Sequence, residues 1–390
     1  MIKNISSLLF VLFLALFCQY GFGMKSFDSI VPSVSDTISF KALGKLNNSV
    51  IIINDTIDLQ GKKCVVPSNI TLFFKRGMIK NGVLEGNMTQ LKSSNACFNK
   101  VRIQGTWDVP YISTTLFSDL DYDNSLKDVV ALTHPSVKNR IEIGEGTYRV
   151  SALMNNDICI PINSNTELII NGSIVLSPNA YGSYQIIQAS GQNINISGKG
   201  VIVGDKHTHT GKEGEWGMGI YLKDAHHTTI SGINIRDCWG DCIYVGYNST
   251  DIFIKDCKLD HGRRQGISIT SANGVNIKNC IISNVGGTEP EYGIDIEPNR
   301  GGCVENVIIK KNYIYNCQGG ILVMGRAPNS KIDNIIISGC LISNAKKASV
   351  YLVKCLSAKV EDCIIKGGNK KMDIRYVDVK SIVLKRNKRL

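Results

Sequence analysis

The chain has 390 residues, of which 43% are hydrophobic and 20% are charged, so it is long enough to bury a large core. Its 44 lysines and arginines exceed its 33 aspartates and glutamates, which gives a formal net charge of +11 at pH 7. Clustered cations favour an acidic partner, but the sequence holds no nucleic-acid-binding motif, so we do not expect nucleic acid as that partner. Beyond the N-terminal stretch no segment is long and apolar enough to span a bilayer, so we expect no membrane insertion.

The first 23 residues have the three-part pattern of a secretory signal peptide. Lys3 precedes an apolar stretch from Leu8 to Phe17, and cleavage is expected after Gly23. A transmembrane anchor is the competing interpretation, but it needs about 20 apolar residues and this stretch is shorter. A lipoprotein anchored at Cys18 is a second alternative, which the bulky Phe17 just before it disfavours. We therefore expect a secreted protein, either periplasmic or extracellular.

Three further regions follow the signal peptide. Residues 24–118 are predicted to form a β-rich N-terminal section, because short alternating stretches are separated by Gly and Asn turns. Residues 119–139 are predicted to be a connecting segment with one short helix. Its stretch "DYDNSLKDVVALTH" places four aliphatic residues on one side: Leu126, Val129, Val130 and Leu132. Residues 140–390 are predicted to form the main β-domain.

The main β-domain contains a repeat. Six strand-like stretches align, "GMGIYLK", "DCIYVGY", "QGISITS", "YGIDIEP", "GGILVMG" and "ASVYLVK". Their first aliphatic residues are Ile220, Ile243, Ile267, Ile294, Ile321 and Val350, at steps of 23, 24, 27, 27 and 29 residues. A second β-branched strand occurs in each repeat, and no repeat contains an amphipathic helix. This pattern predicts an all-β chain, a right-handed parallel β-helix built from coils of three short strands.

The positions of the cysteines favour a buried column of free thiols over a framework of disulfide bonds. The chain has 13 cysteines. Five of them follow a strand at the same repeat position, with Asn312 in the remaining coil: Cys238, Cys257, Cys280, Cys340 and Cys363. We expect them to stack inside as free thiols, with disulfides as the alternative. The residues just before them are expected to form a column of turn residues: Asp237, Asp256, Asn279 and Asp362.

One outward face of the β-helix gathers polar and aromatic residues. Since the aliphatic residues of each aligned strand point inward, the residue between them points outward. This outward column is Tyr221, Tyr244, Ser268, Asp295, Leu322 and Tyr351, and beside it lie Lys223, Gly246, Thr270, Glu297 and Met324. We interpret the face as an exposed active-site patch with Asp241, Asp295 and Glu297 as candidate catalytic acids. The candidate substrate-binding residues are Arg263, Arg264, Gln265, Tyr244 and Tyr292. The alternative is an ordinary surface on which the acids pair with the arginines.

A long loop precedes this face, in "GKGVIVGDKHTHTGKEGEWGMGI". His207, His209 and Trp216 are candidate substrate-binding residues in the wall of a cleft. A His-x-His pair with acidic residues nearby could also bind zinc, but the sequence lacks the spacing of four ligands that is typical of a zinc site. We therefore predict no metal site.

The stretch "WGDCIYVGYNSTDIFIKDCKLDHGRRQGISI" resembles the polygalacturonase signature of glycoside hydrolase family 28, "GDDCIAI" followed one coil later by "GHGISIGS". More broadly, residues 140–380 resemble the pectate lyase-like superfamily of β-helix proteins. The resemblance implies that Asp241 is the second acid of the family's pair. Gly240 stands where the first acid occurs and Gln265 where a histidine occurs, so Asp295 or Glu297 would have to supply the missing carboxylate.

Three functions are consistent with this sequence. The first is a secreted enzyme that hydrolyses glycosidic bonds in a polysaccharide, expected to be acidic because of the arginines, and without a cofactor. The second is a polysaccharide lyase or uronate epimerase, in which an arginine or a tyrosine abstracts a proton and calcium assists. The third is a non-catalytic glycan-binding or surface protein. Fold alone does not distinguish them.

Overall fold

The computed structural model describes residues 38–39, 50–93, 95–134, 136–368 and 373–390. The predicted signal peptide lies outside these residues. Within the described ranges, no helix has the length and apolar character needed to cross a membrane. The chain divides into two compact units, residues 1–144 and 145–390. The finer division expected from the sequence, with boundaries at residues 118 and 139, stays a prediction.

The first unit is β-rich and has a parallel sheet. Its strands are Ile38–Ser39, Val50–Ile53, Ile57–Asp58, Lys63–Val65, Thr71–Phe74, Ile79–Ser93 and Phe98–Asp108. A parallel pair, Tyr111–Ser113 with Asn139–Ile143, follows, and a 3₁₀ turn spans Thr114–Leu116. The expected helix is present but short, Ser125–Val130, and it buries Leu126, Val129 and Val130. It begins late because Asn124 adopts a left-handed conformation (φ 64°) that helix residues avoid.

The second unit is a parallel β-helix. One of its sheets has ten strands: Thr147–Val150, Ser173–Leu176, Val201–Val203, Asn234–Arg236, Lys258–Asp260, Ile281–Ser283, Tyr313–Tyr315, Leu341–Ser343, Ile364–Lys366 and Lys388–Arg389. The other strands are Asp157–Ile162, Thr166–Ile170, Ser183–Gly198, Trp216–Ser231, Ile243–Gly246, Ser249–Lys255, Ile267–Ile269, Ala272–Lys278, Tyr292–Ile296, Cys303–Lys310, Gly319–Met324, Lys331–Ser338, Val350–Val353, Ser357–Glu361, Ile374–Val377 and Ser381–Lys385. Strands pair in parallel with strands one coil away, so the coil is the repeating unit.

The register of these strands confirms the predicted repeat. Ile220 pairs with Ile243, Ile243 with Ile267, Ile267 with Ile294, Ile294 with Ile321, and Ile321 with Val350. All six side chains are fully buried. They stack because parallel strands in neighbouring coils lie about 4.8 Å apart and expose the same face inward. The all-β solenoid predicted from the sequence is therefore confirmed.

The cysteine column is confirmed for four of its five members. The strand register places Cys257, Cys280, Cys340 and Cys363 at one position, with Asn312 between the two pairs. Asn312 fits there because its Oδ1 accepts from the backbone N of Cys280 (2.8 Å) and its Nδ2 donates to the carbonyl of Ile277 (3.0 Å). The twelve cysteines of the described part are all free.

The placement of Cys238 in that column is wrong. Lys258 pairs with Asn234, so the residue opposite Cys257 is Ile233. The stretch "INIRDC" resembles "IFIKDC" in its letters, but it contains a strand of the ten-stranded sheet, one corner later in its coil. For the same reason Asp237 does not belong with Asp256 and instead hydrogen-bonds through its N to the carbonyl of Asp260 (3.0 Å).

Candidate active site

The register of the outward column is as predicted, but Ser268, Asp295 and Leu322 in it are buried and not exposed. Tyr221 pairs with Tyr244, Tyr244 with Ser268, Ser268 with Asp295, Asp295 with Leu322, and Leu322 with Tyr351. Just before these strands, the backbone of Cys242 donates to the carbonyl of Gln265, which places Asp241 and Gln265 on neighbouring coils. Register alone therefore brings the candidate acids to one face.

The two aspartates are buried and not exposed, which corrects the sequence interpretation. Asp241 is 0% exposed and Asp295 is 2% exposed. The loop before the Ile267–Ile269 strand contacts both of them, since Arg264 pairs with Asp241 and Gln265 donates to Asp295. Glu297 is half-buried. We call Asp241, Asp295, Glu297 and Arg264 the acid cluster.

Arg264 is the cation of the acid cluster. Its Nη1 lies 3.5 Å from Oδ2 of Asp241, and its Nε lies 3.3 Å from Oε1 of Glu215. Burial lowers the pKa of Arg264, but the nearby carboxylates, Asp241 and Glu215 foremost, outweigh burial and raise it. Arg264 therefore keeps its positive charge at any physiological pH.

Gln265 fixes the orientation of Asp295. The backbone N of Tyr292 donates to Oε1 of Gln265 at 2.8 Å, and Nε2 of Gln265 donates to Oδ2 of Asp295 at 3.0 Å. Gln265 is fully buried. It therefore positions a carboxyl group and has no free surface to offer a substrate.

The acid cluster concentrates buried polar atoms that lack a hydrogen-bond partner in the described part of the chain. By strict hydrogen-bond geometry they are both carboxyl oxygens of Asp241, Oδ1 of Asp295, Oγ of Ser268 and Nε of Arg264, although Ser268 and the backbone of Gln265 lie close enough to Asp241 to lower its pKa. The ion-pair separations of Arg264 exceed ordinary hydrogen-bond lengths, so they do not satisfy these atoms. Buried polar groups in folded proteins are nearly always paired, and unpaired ones are typical of catalytic sites. Five such atoms at one place define a candidate site.

Burial shifts the acids toward their protonated forms. Burial raises the pKa of Asp241 to about 6, although the charge of Arg264 opposes the shift. Burial, with the negative charge of Glu297 second, raises the pKa of Asp295 well above its ordinary value. Burial also raises the pKa of Glu297, against Arg264 and Arg326. Burial and the charge of Glu297 therefore favour the protonated form of Asp295, whereas Asp241, with a pKa of about 6, is mostly ionised at neutral pH.

The other predicted binding residues divide between this face and the interior. Tyr244 is on the face, where its hydroxyl accepts from Oγ1 of Thr270 at 2.8 Å. Tyr292 is buried, because its ring lies against Gly319, where any side chain would clash with it. Burial raises the pKa of Tyr292 to about 12. Trp216 is 49% exposed.

Arg263 does not reach the acid cluster, although it adjoins Arg264 in sequence. Its guanidinium lies 3.7 Å from the centre of the Trp239 ring and donates to the carbonyl of Gly214 at 3.2 Å. Arg264 by contrast lies against Asp241 and Glu215, so the expectation that both arginines line one groove for a glycan stays a prediction.

The two loop histidines have structural partners. The side chain of His209 is fully buried, binds Oδ2 of Asp205 through Nδ1 (2.8 Å) and stacks on Trp239 at 3.8 Å. His207 is exposed and lies 3.1 Å from Oδ1 of Asp237. Neither contacts the acid cluster. The described residues contain no group of three or more His, Cys, Asp or Glu side chains that could hold a metal ion.

Three residues of the site were missed by sequence reasoning. Ser268 stood in the outward column but carried no charge to single it out. Glu215 was visible in the long loop, yet its pairing with Arg264 depends on the fold of that loop. Trp239, the stacking partner of both Arg263 and His209, had no sequence signal beyond its position beside Asp241.

Comparison with known proteins finds a family model of β-helix proteins that matches part of the second unit. Residues 149–304 match the family model "Right handed beta helix region", in agreement with the predicted handedness. Over 232 residues the chain is 30% identical to the uncharacterized protein YclG of Bacillus subtilis, covering 48% of this chain and 40% of that protein. The chain spans less than half the length of the curated relatives that it matches.

Similar solved structures share the fold at low sequence identity. The exopolygalacturonase of Thermotoga maritima is 14% identical, with a TM-score of 0.47, covering 72% of this chain and 90% of that one. PfbA, a surface adhesin of Streptococcus pneumoniae, is 13% identical, with a TM-score of 0.47, and the match covers 87% of this chain and 80% of PfbA. The first is named as an enzyme and the second as a surface adhesin.

Proposed function

We propose that this protein is a secreted enzyme that hydrolyses glycosidic bonds in an acidic polysaccharide. One observation carries the proposal. Two buried aspartates, Asp241 and Asp295, face the same side of the β-helix with unpartnered oxygens and unequally raised pKa values. Glycoside hydrolysis needs such a pair, one carboxyl group protonated and the other ionised at the same pH.

The environments assign the two roles. Asp295 is the general acid, because burial and Glu297 keep it protonated and Gln265 occupies its Oδ2, which leaves Oδ1 to carry the proton. It protonates the oxygen of the leaving sugar. Asp241, ionised above about pH 6 and adjacent to Arg264, is the general base that removes a proton from the attacking water.

The spacing favours inversion at the anomeric carbon. The acids come from coils that lie two steps apart, and each step is about 4.8 Å. Inverting enzymes hold their carboxyl groups roughly 6.5 to 9.5 Å apart to admit a water, whereas retaining enzymes hold them about 5 Å apart. Two coil steps, together with an offset of three residues along the strand direction between the two positions, exceed the narrow spacing, so we expect inversion.

An acidic substrate is favoured by the cations around the acids. Arg264 is 16% exposed at its side chain, and exposed Arg326 lies close enough to lower the pKa of Glu297. A guanidinium binds a carboxylate or sulfate through two parallel hydrogen bonds. The same observation disfavours a lyase that uses Arg264 as its base, because the surrounding carboxylates hold that arginine in its charged form.

The test is a screen of acidic plant, algal and host glycans with the purified protein, with products read by mass and by ultraviolet absorbance. We expect the wild-type protein to release new reducing ends and saturated products. We expect neither from the Asp295→Asn and Asp241→Asn variants. Asp251→Asn is the matched control, because Asp251 is exposed and pairs only with His227 among the ion pairs of the described chain. Unsaturated products absorbing in the ultraviolet would indicate a lyase, and binding without any product would indicate a glycan-binding protein.

A further inference from the structure

Tyr247 is a large aromatic residue that lies exposed in a turn and takes no part in the hydrophobic core. It is 56% exposed and has a φ of 56° in a two-residue turn whose other residue, Asn248, has a φ of 60°. Bulky side chains rarely adopt this left-handed conformation, in which Gly and Asn are preferred. An exposed tyrosine there adds backbone strain and buries little surface. Left-handed residues recur at the turns of this β-helix, for example Asp224 (φ 51°) and Lys354 (φ 51°), so the turn belongs to the fold, but nothing in the turn calls for an exposed aromatic ring.

Tyr247 belongs to a group of three tyrosines on two neighbouring coils. The rings of Tyr221 and Tyr244 meet edge to face with centroids 5.0 Å apart, and the rings of Tyr221 and Tyr247 meet in the same way at 6.1 Å. We call these three residues the tyrosine platform. Gly246 makes room for it, since a side chain at that position would contact the ring of Tyr244 at 2.8 Å.

A cation completes the tyrosine platform. Nζ of Lys223 lies 5.0 Å from the centre of the Tyr247 ring. Within the described ranges Lys223 makes no ion pair, and the adjacent carboxylate of Asp224 instead lies 3.2 Å from His226. The charge of Lys223 therefore remains available to an anion beside the ring of Tyr247.

The tyrosine platform continues the face that carries the acid cluster. Tyr221 and Tyr244 precede Ser268 and Asp295 in the outward column, one coil at a time. Tyr244 and Asp241 share a coil, and the charge of Asp241 contributes to the raised pKa of Tyr244, after burial as the main cause. A chain of sugars bound at the acid cluster and running toward the N-terminal coils would cross the platform.

We propose that the tyrosine platform with Lys223 is a sugar-binding subsite that stacks one pyranose ring bearing a carboxylate or sulfate group. The inference rests on the proposed function and specifies where the substrate is held away from the cleavage point. An aromatic face binds the apolar face of a sugar ring, and Lys223 binds its acidic substituent. A polysaccharide is favoured over a protein partner because the platform and the acids share one column.

The test measures glycan binding to the Asp295→Asn variant, which should hold substrate without consuming it. An acidic polysaccharide and its carboxyl-reduced neutral form are compared in Tyr247→Asn and Lys223→Gln backgrounds. Tyr247→Asn suits the left-handed turn, and we expect roughly five- to tenfold weaker binding of both polysaccharides with an equal or higher melting temperature. For Lys223→Gln we expect weaker binding of the acidic form alone. The control is Phe253→Asn, which removes an exposed aromatic residue from another strand. This variant should change the binding of neither the acidic nor the neutral polysaccharide.

The outcomes separate this inference from the proposed function. If the wild-type protein cleaves glycans but Tyr247→Asn binds them as tightly as the control, the subsite is overturned and the enzyme stands. If no glycan is cleaved yet Tyr247→Asn weakens binding and the control does not, the subsite stands and the hydrolase is overturned. A loss of melting temperature in Tyr247→Asn would show a structural role for Tyr247 and overturn the subsite, and the absence of any glycan binding would overturn both.

Discussion

Gln265 donates a hydrogen bond from its side-chain amide to Oδ2 of Asp295 at 3.0 Å. The direction of this bond is fixed, because the other end of the amide accepts from the backbone N of Tyr292 and must present its oxygen there. Oδ2 of Asp295 is therefore committed as an acceptor, and the proton of this carboxyl group resides on Oδ1. That oxygen is the one without a partner in the described chain.

Asp295→Asn should remove activity without weakening the fold. The amide keeps the shape of the side chain, can still accept from Gln265 and avoids a buried ionisable group, so we expect a melting temperature equal to or above that of the wild type. Loss of a general acid lowers the rate roughly 10²- to 10⁴-fold. Turnover and thermal unfolding would be measured beside Asp251→Asn. Full activity in Asp295→Asn would show that this carboxyl group is part of the wall of the β-helix and takes no part in the chemistry.

The free energy of unfolding should fall as the pH rises from about 4 to 6. Burial raises the pKa of Asp241 to about 6 in the folded protein, whereas an unfolded aspartate has a pKa of about 3.9. The folded state therefore binds this proton more tightly, so the stabilisation is complete below pH 4 and lost once the pH exceeds 6. The loss due to Asp241 is about 3 kcal/mol, measured as the difference between the wild type and Asp241→Asn in urea unfolding at pH 4 and pH 7, since the raised pKa values of Asp295 and Glu297 add to the wild-type dependence. Asp241→Asn should flatten this dependence, and an unchanged pH profile in that variant would contradict the assignment.

Gln265→Leu should destabilise the protein and disturb the acid. The substitution leaves Oδ2 of Asp295 and the backbone N of Tyr292 buried without partners, each at a cost of about 1 to 3 kcal/mol. We also expect a shifted alkaline limb in the pH–rate profile, because the carboxyl group is no longer oriented. A stability loss with an unmoved pH profile would mean that Gln265 supports the fold and does not position the acid. Gln188→Leu, at a half-buried glutamine of an earlier coil, serves as the control.

Replacing Asn312 with cysteine should lower the free energy of unfolding less than replacing it with alanine. The asparagine satisfies the backbone N of Cys280 and the carbonyl of Ile277. Alanine leaves both groups unpaired and opens a cavity, so we expect a loss of about 2 to 5 kcal/mol in the free energy of unfolding. Cysteine restores the side chain of the neighbouring coils, whose thiols donate to backbone carbonyls such as Cys340 Sγ to Ile309 (3.7 Å). Chemical unfolding of both variants measures the difference, and equal losses would show that the column has no preference for sulfur.

The buried thiols should be free yet unreactive in the folded protein. Burial raises the pKa of Cys317 to about 12, and the neighbouring thiol together with burial raises the pKa of Cys340. Since the thiolate is the reactive form, we expect slow labelling of the eleven buried cysteines in the native protein, earlier labelling of the half-buried Cys303, and labelling of all twelve described cysteines after denaturation without reductant. Mass spectrometry of the labelled peptides would detect bridged pairs. Bridges between Cys257 and Cys280 or between Cys340 and Cys363 would contradict the free-thiol column.

The fold and the alignment of the outward column were determined by the sequence alone. A parallel β-helix repeats the same contacts in every coil, so the spacing of Ile220, Ile243 and Ile267 specifies both the register and the side of the sheet on which Asp295 lies. Local similarity was misleading where strands of different sheets in neighbouring coils have similar sequences, which is why Cys238 was placed in the wrong column.

The environment of the acids was decided by the tertiary structure. Strand alternation says that a side chain points outward, but whether it meets water depends on the loops that cross it. Here the loop before Ile267 contacts the buried Asp241 and Asp295, and it directs Arg264 to the acids while Arg263 turns to Trp239. Loop side chains follow no period, so no spacing in the sequence predicts which neighbour they contact. The raised pKa values depend on that burial, and therefore only the folded chain distinguishes an acid pair from an ordinary charged surface.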